Sequence, residues 1–411
     1  MNNPVKKIII GLSAIGPGLF LIGYNIGTGS VTTMAKSGAE YGMTLFWALV
    51  LSCIFTFILM IAYGQVTLVT GHTALHNIKH EFKYGKILAL YILFALILGE
   101  LLALMGIMGI IADLIQEGIH LAFGDLTIST FWITVAVVVL LYFLLWNGRY
   151  SLFEKILSVF VIFMGLCFIV VFFMVKPDLS SIMKGLVPRI PDEPGAFALI
   201  AAMAGTTCSA AVFIIRSTVV KEKGWNISHL KQEKKDAFVS ASMMLFLSAV
   251  IMAVAAGTLH VMGLKLTNTN EMIELFAPIG GKTAAFILIL GIVGAGISTV
   301  FPIVLIAPWL ISDYTGKPRD LKSPMFRILG LIGILFGFGL QFLNQRPPAM
   351  MVFSQAFQAC ILPAVAIPVF ILINRKSLMK SHISDPKMNI GIFAVIVFSI
   401  VTTYFAIADL L

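Results

Sequence analysis

For its length this sequence is short of charge. Only 11% of its 411 residues are Asp, Glu, Lys or Arg, against roughly a quarter in an ordinary soluble domain. A soluble globule needs a polar skin, and this chain has too few polar residues to make one. Cysteine is scarce as well. Cys53, Cys167, Cys208 and Cys360 all fall inside apolar runs, with no CxxC pair, so a disulfide framework and a zinc cluster are both excluded. No glycine-rich phosphate loop of the ATP-binding type is present, which excludes primary pumping by this chain. No nucleophile–base set and no cofactor motif stands out, so an enzyme is not expected. What fills the space is apolar: 59% of the residues are hydrophobic. That composition fits a polytopic membrane protein and rules out a disordered chain.

The net charge of +9 does not call for nucleic acid, because Lys and Arg collect in the cytoplasmic loops of membrane proteins. A helix needs about 20 apolar residues to cross the hydrocarbon core. Uncharged stretches occupy 8–35, 41–78, 126–148, 156–175, 194–215, 237–264, 283–312, 328–345, 347–374 and 388–408, and 87–112 is broken only by Glu100. Eleven spans are therefore expected, all-α, with an uncleaved first span. With the N-terminus placed in the cytoplasm, 21 of the 28 Lys and Arg fall in inside segments and 7 in outside ones. This bias points to an integral protein of the cell's inner membrane with a cytoplasmic N-terminus.

Two spans carry unusual runs. The first holds Gly23-Tyr24-Asn25-Ile26-Gly27-Thr28-Gly29-Ser30, and the sixth holds Ala204-Gly205-Thr206-Thr207-Cys208-Ser209-Ala210. Each opens a five-helix block, and an odd number of helices per block inverts the second block in the membrane. Expected units are thus 1–175 (helices one to five), 194–374 (helices six to ten) and an added helix in 388–411. Gly-interrupted segments at matching places in two halves point to a transporter's central site, and freed backbone groups are tolerated where they line a cavity. Close helix packing is the competing explanation for such glycines; for the sixth span the two weigh about equally.

These residues resemble the NRAMP family of proton-coupled metal transporters. Gly16-Pro17-Gly18 followed by the broken helix and Gly38-Ala39-Glu40-Tyr41-Gly42 is similar to the family's first helix and its exit. Ser354-Gln355-Ala356 through Leu362-Pro363 to Ile367-Pro368 is similar to its tenth helix, and Gly205 to Arg216-Ser217 more loosely to its sixth. The resemblance implies a fold like that of the bacterial leucine transporter: two inverted five-helix repeats, unwound in helices one and six at the substrate. The departures lie at the ligands. The family's Asp-Pro-Gly-Asn is Gly27-Thr28-Gly29-Ser30 here, and its Met-Pro-His is Ser209-Ala210-Ala211.

What remains near the breaks is Asn25, Gly27, Thr28, Ser30, Thr206, Thr207, Ser209 and Gln355, all neutral oxygen, amide or backbone groups. These are the expected substrate-binding residues. A bare divalent ion in low dielectric needs carboxylates, and transition metals want imidazole or sulfur. Three substrates stay open: a hard divalent ion that keeps much of its water, a monovalent ion, or a small organic solute facing the half-helix N-termini. A small polar cavity would favour an ion, and a larger one with aromatic walls a solute.

Glu100 is the one acid deep in a span, a functional candidate by position. It takes the register of the family's third-helix glutamate on the proton path, while Ile97 stands where that family has an aspartate. A role in proton or ion coupling is expected, such that Glu100→Gln keeps binding and loses pH-dependent uptake. Arg216 replaces a family histidine and reads as an inside anchor. Glu154, Asp236 and Asp313 lie at span ends as surface ion-pair partners, and His72, His76 and His80 share one helical face. The partners expected are a metal ion or small solute and the lipid bilayer, with no obligate protein partner. The leading function is NRAMP-related transport of a metal cation, and the alternative is cation-coupled symport of an organic solute such as an amino acid.

Overall fold

The computed structural model describes residues 27–408, apart from 125, 127, 148–149, 277, 318–319, 321 and 344 and the side chains of 147–161. Its principal helices are α1 (Thr28–Tyr41), α2 (Phe46–Thr70), α3 (Ala74–Glu81), α4 (Gly85–Phe123), α5 (Thr130–Asn147), α6 (Tyr150–Val175), α7 (Ala196–Thr207), α8 (Ala210–Glu222), α9 (Leu230–Gly257), α10 (Gly281–Thr315), α11 (Pro324–Phe336), α12 (Pro347–Asn374) and α13 (Pro386–Ala408). Among the described residues, eight segments are long and apolar enough to cross a membrane, with α7 and α8 counted together as Ala196–Glu222. The apolar stretches Thr130–Trp146 and Ile162–Val175 are shorter.

Helix ends follow local chemistry. α2 stops at Gly71, whose φ of 70° is left-handed backbone that costs a glycine little. The uncharged run 41–78 is therefore not one helix. After Gly71 the chain restarts as α3, capped by Thr73, whose side chain accepts the His76 amide hydrogen. Ser323 caps α11 ahead of Pro324 in the same way. Pro302 and Pro308 sit inside α10, and Pro363 and Pro368 inside α12; the Ala359 carbonyl, which Pro363 leaves without an amide partner, accepts from the Thr403 hydroxyl (3.3 Å).

The broken span lies at the centre. Of the apolar window in Ala196–Glu222, 94% is buried, against 39% in Pro386–Ala408, so α13 belongs to the rim. α12 packs on α4 and α7, α10 on α4, and α9 on α1 and α2. Contacts between connections fall into two groups. In one, the Ser217 hydroxyl accepts from the Ala74 amide (2.9 Å), Thr73 donates to Asp313 (2.9 Å), Lys79 donates to the Tyr314 carbonyl (2.8 Å) and Arg375 pairs with Glu81 (2.8 Å). In the other, the Trp47 indole donates to Arg189 O, Tyr41 to Pro194 O, Lys36 to Leu266 O and Thr269 to Asp113.

Candidate functional site

Five elements meet at a cavity of about 30 Å3. α1 supplies Gly29 and Ser30 with Gly27 just ahead of it, α4 supplies Glu100, Ala103 and Ile107, α10 supplies Thr299 and Ile303, and α12 supplies Gln355 and Gln358. The end of α7 and the break after it give Thr206 and Ser209. The helical spacing accounts for the pairs: residues three, four or seven apart share a face. Larger hollows open elsewhere, among them two of about 510 and 460 Å3. One is edged by the exposed Lys176, Asp178 and Lys184, and the other is a largely apolar groove beside Lys36 and Glu40.

The break in the sixth span is shorter than the sequence implies. The run from Ala204 to Ser209 reads as unwound, yet α7 stays helical through Thr207 and only Cys208 and Ser209 leave helical geometry before α8 begins. The reason is packing. Gly205 lies against the α12 backbone, where a Cβ would overlap the Gln355 carbonyl oxygen, so the glycine serves close approach rather than unwinding. Thr28, Gly29 and Ser30 likewise form the first turn of α1, with Gly27 as its N-cap. Asn25 and the Gly16-Pro17-Gly18 run lie outside the described residues.

Of the eight expected binding residues, Gly27, Ser30, Thr206, Ser209 and Gln355 line the cavity, and Glu100 joins them. Thr28 does not: its hydroxyl donates to the Ile292 carbonyl (3.3 Å), directed at α10. Thr207 does not either, and its carbonyl accepts from Thr56 (2.9 Å). Cys208 is buried in the break without lining the cavity. Thr299 and Gln358 escaped the sequence reading. Thr299 looks like any small polar residue in an apolar span. Gln358 had a signal, since it stands three residues after Gln355 on one helix face.

The orientation of the hydroxyls sets the chemistry. Ser30 Oγ donates to the Gly27 carbonyl (3.2 Å), Ser209 Oγ to Gln358 Oε1 (2.9 Å) and Thr299 Oγ1 to the Ala295 carbonyl (2.7 Å). A hydroxyl has one hydrogen, so each of the three turns only lone pairs toward the cavity. Glu100, 3% exposed, is the single carboxylate among the described lining residues. α1 and α8 both begin here with their partial positive ends, and the Glu100 carboxylate supplies the opposite charge. No sulfur or imidazole is among the cavity's described lining residues. Among the described residues, no group of three His, Cys, Asp or Glu is placed to hold a metal.

Below the break, Arg216 is not a surface anchor. Its side chain is fully buried, with Nε on Glu233 Oε1 (2.8 Å) and Nη2 on Asp236 Oδ2 (2.9 Å). Asp236 is thus part of a buried network instead of a surface pair, and Asp313 accepts from Thr73. The Glu154 side chain lies outside the described residues. The three histidines lie ring against ring, with centroids 4.3 Å apart for both pairs, His72–His76 stacked at 18° and His76–His80 tilted at 33°, and they form no group placed to hold a metal.

Residues 18–409 match the family model for natural resistance-associated macrophage protein-like proteins. Among curated relatives, the divalent metal cation transporter MntH of Pectobacterium carotovorum is 24% identical over 385 residues, covering 91% of this chain and 88% of that protein. MntH of a Nostoc species is 24% identical over 389 residues, covering 91% and 85%. Among solved structures, a manganese transporter of Eremococcus coleocola superposes with a TM-score of 0.69 at 14% identity, covering 97% of this chain and 86% of that one. Mhp1, a nucleobase-cation-symport-1 family transporter in a closed conformation, gives 0.62 at 13% identity, with 96% and 92% covered. These two likenesses speak for the fold of a membrane transporter. The family match runs through every described helix from α1 to α13, and on that ground the chain belongs to the Nramp family.

Proposed function

We propose that this chain is a secondary transporter that carries a hard divalent cation, with part of its water retained, by alternating access at the breaks in its first and sixth spans. The observation that supports this reading is that three hydroxyls beside Glu100, those of Ser30, Ser209 and Thr299, spend their hydrogens on other partners and offer lone pairs. Oxygen lone pairs plus one carboxylate suit magnesium-like ions, which shed water reluctantly. Manganese and iron gain no preference without sulfur or imidazole. A cavity of about 30 Å3 accommodates an ion with one or two waters, since a single water needs roughly 10–15 Å3. It is too small for an amino acid, and no aromatic ring is among its described lining residues. The divalent-cation transport named for the MntH relatives agrees with this class of cargo.

In this reading Glu100 is both ligand and proton carrier. Protonation removes the one charge that holds the cation, so proton and cation compete at a single carboxylate. Because Glu100 lines the cavity, Glu100→Gln is expected to weaken binding as well as pH-dependent uptake. The proposed topology has eleven spans in two inverted five-helix units, 1–175 and 194–374, plus the helix in 388–411. The grouping of loop contacts supports it: Thr73, Ala74, Lys79 and Glu81 at α3 reach Asp313, Ser217, Tyr314 and Arg375 in turn, and all belong on the cytoplasmic side of that topology. The test is uptake into proteoliposomes from a panel of Mg, Mn, Ca, Na and K ions with internal pH recorded. Saturable Mg2+ uptake with proton movement is expected. No ion uptake, in vesicles holding folded protein, would defeat the reading.

A further inference from the structure

Gln358 touches the cavity through two elements at once. It is 5% exposed, and its Oε1 takes the only hydrogen of Ser209, the residue at the helix break. On its other side lies Gly99, next to Glu100 in α4. A Cβ at position 99 would come within 3.2 Å of the Gln358 Cγ, so α4 sits this close to Gln358 because residue 99 has no side chain. The Gln358 amide nitrogen donates to no partner among the described residues, and it belongs to a side chain that lines the cavity.

We infer that Gln358 is a positioning residue that sets the cavity's cation selectivity. This rests on the proposed reading of the cavity as a cation site. By accepting from Ser209 it fixes that hydroxyl as an acceptor. Without it, the Ser209 hydrogen is free to turn inward, donate to a lone pair and compete with the cation. As a neutral amide it also keeps the lining at a single carboxylate. A second carboxylate at this position would hold a divalent ion more tightly and release it more slowly, so the glutamine favours a cation that keeps its own water and leaves readily.

The test measures Mg2+, Mn2+ and Na+ binding by calorimetry and uptake in proteoliposomes, for the full chain and for Gln358→Leu, Gln358→Glu, Ser209→Ala and the double variant Ser209→Ala/Gln358→Leu. Gln358→Leu is expected to weaken Mg2+ binding about ten-fold, the size of losing one oriented polar partner. Ser209→Ala should give a similar loss, and the double variant little more, because the two act as a pair. Gln358→Glu should lower KM and maximal rate together for divalent ions while leaving Na+ behind, a change of ratio that misfolding does not produce. If Gln358→Leu does not fold, the near-isosteric Gln358→Glu and Ser209→Ala carry the test. Wild-type selectivity in Gln358→Glu, or full additivity in the double variant, would overturn the inference. A wild-type chain that binds none of the three ions defeats the cation reading itself, and that result is separable because it precedes any variant.

Discussion

Glu100 alone carries formal charge among the described residues of the cavity wall, so its substitution separates charge from shape. Glu100→Gln keeps volume and removes the charge-assisted contact. Such contacts contribute about 1.5–3 kcal/mol, so Mg2+ affinity measured by calorimetry should fall roughly ten- to hundred-fold, and uptake should lose its dependence on external pH. Equal affinity in the variant would remove Glu100 from the ligand set. A second residue-scale prediction lies outside the membrane, at His76. Burial, then the neighbouring His72 and His80 rings, Lys221 and Lys79, lower its pKa from an ordinary 6.5 to about 4. Above pH 6.5 the folded and unfolded chains are both neutral there, and the group contributes nothing. Below it the unfolded chain takes up a proton that the folded one refuses until about pH 4, so stability around α3 falls as pH drops through that window. Amide protection factors in α3 of the full chain, corrected for the intrinsic exchange rate at each pH, should fall between pH 6.5 and 4, and His76→Gln should flatten that dependence.

At the scale of elements, glycine and arginine hold the broken span in place. A Cβ at Gly205 would overlap a backbone oxygen of α12, and backbone has little room to yield. Gly205→Ala should cost about 1–3 kcal/mol or more, seen as a lowered melting temperature in detergent. An unchanged melt would mean that α7 is not pinned there. Gly64 plays the same part on α2, facing the Glu233 carboxylate. Arg216 ties α8 to α9 through Glu233 and Asp236 with no exposure. Removing one member of a buried ionic set costs about 3–5 kcal/mol, so Arg216→Met should destabilise strongly. Arg216→Lys should not restore stability, since a point charge cannot span both carboxylates as the guanidinium fork does. Much of this level was legible in the sequence: helix positions follow the apolar runs, and the interruption in the sixth span follows its small polar residues. Its extent was not, because glycine signals unwinding and close approach alike, and only the position of Gln355 on another helix tells them apart. Nor was the burial of Arg216 legible. A lone arginine at a span end reads as an anchor until the two acids 17 and 20 residues later are seen to fold back on it.

For the whole molecule, the sidedness of the connections is the property that spacing in the sequence and contacts in space address independently. Lys and Arg counts place 79–86, 216–235, 317–327 and 375–387 on one side and 176–189, 265–282 and Arg346 on the other. The contacts repeat that division: α3 reaches Ser217, Asp313 and Tyr314, while Trp47 and Tyr41 reach the segment 189–194. Nothing in charge counting forces loops to touch, and nothing in packing knows the charge, so their agreement bears on the membrane orientation. The cavity residues, by contrast, come from five elements far apart in the chain, and their convergence depends on tertiary packing that no local pattern encodes. The orientation is tested with single cysteines at Lys223 and Lys380 for the cytoplasmic side and at Lys184 and Lys265 for the outer side, each in a variant with the four native cysteines replaced. All four positions are exposed, so access depends on the membrane alone. An impermeant maleimide applied to intact cells should label the last two at once and the first two only after the membrane is opened. Labelling of Lys223→Cys from outside would invert the topology and place the Arg216 network and the α3 connection at the outer mouth.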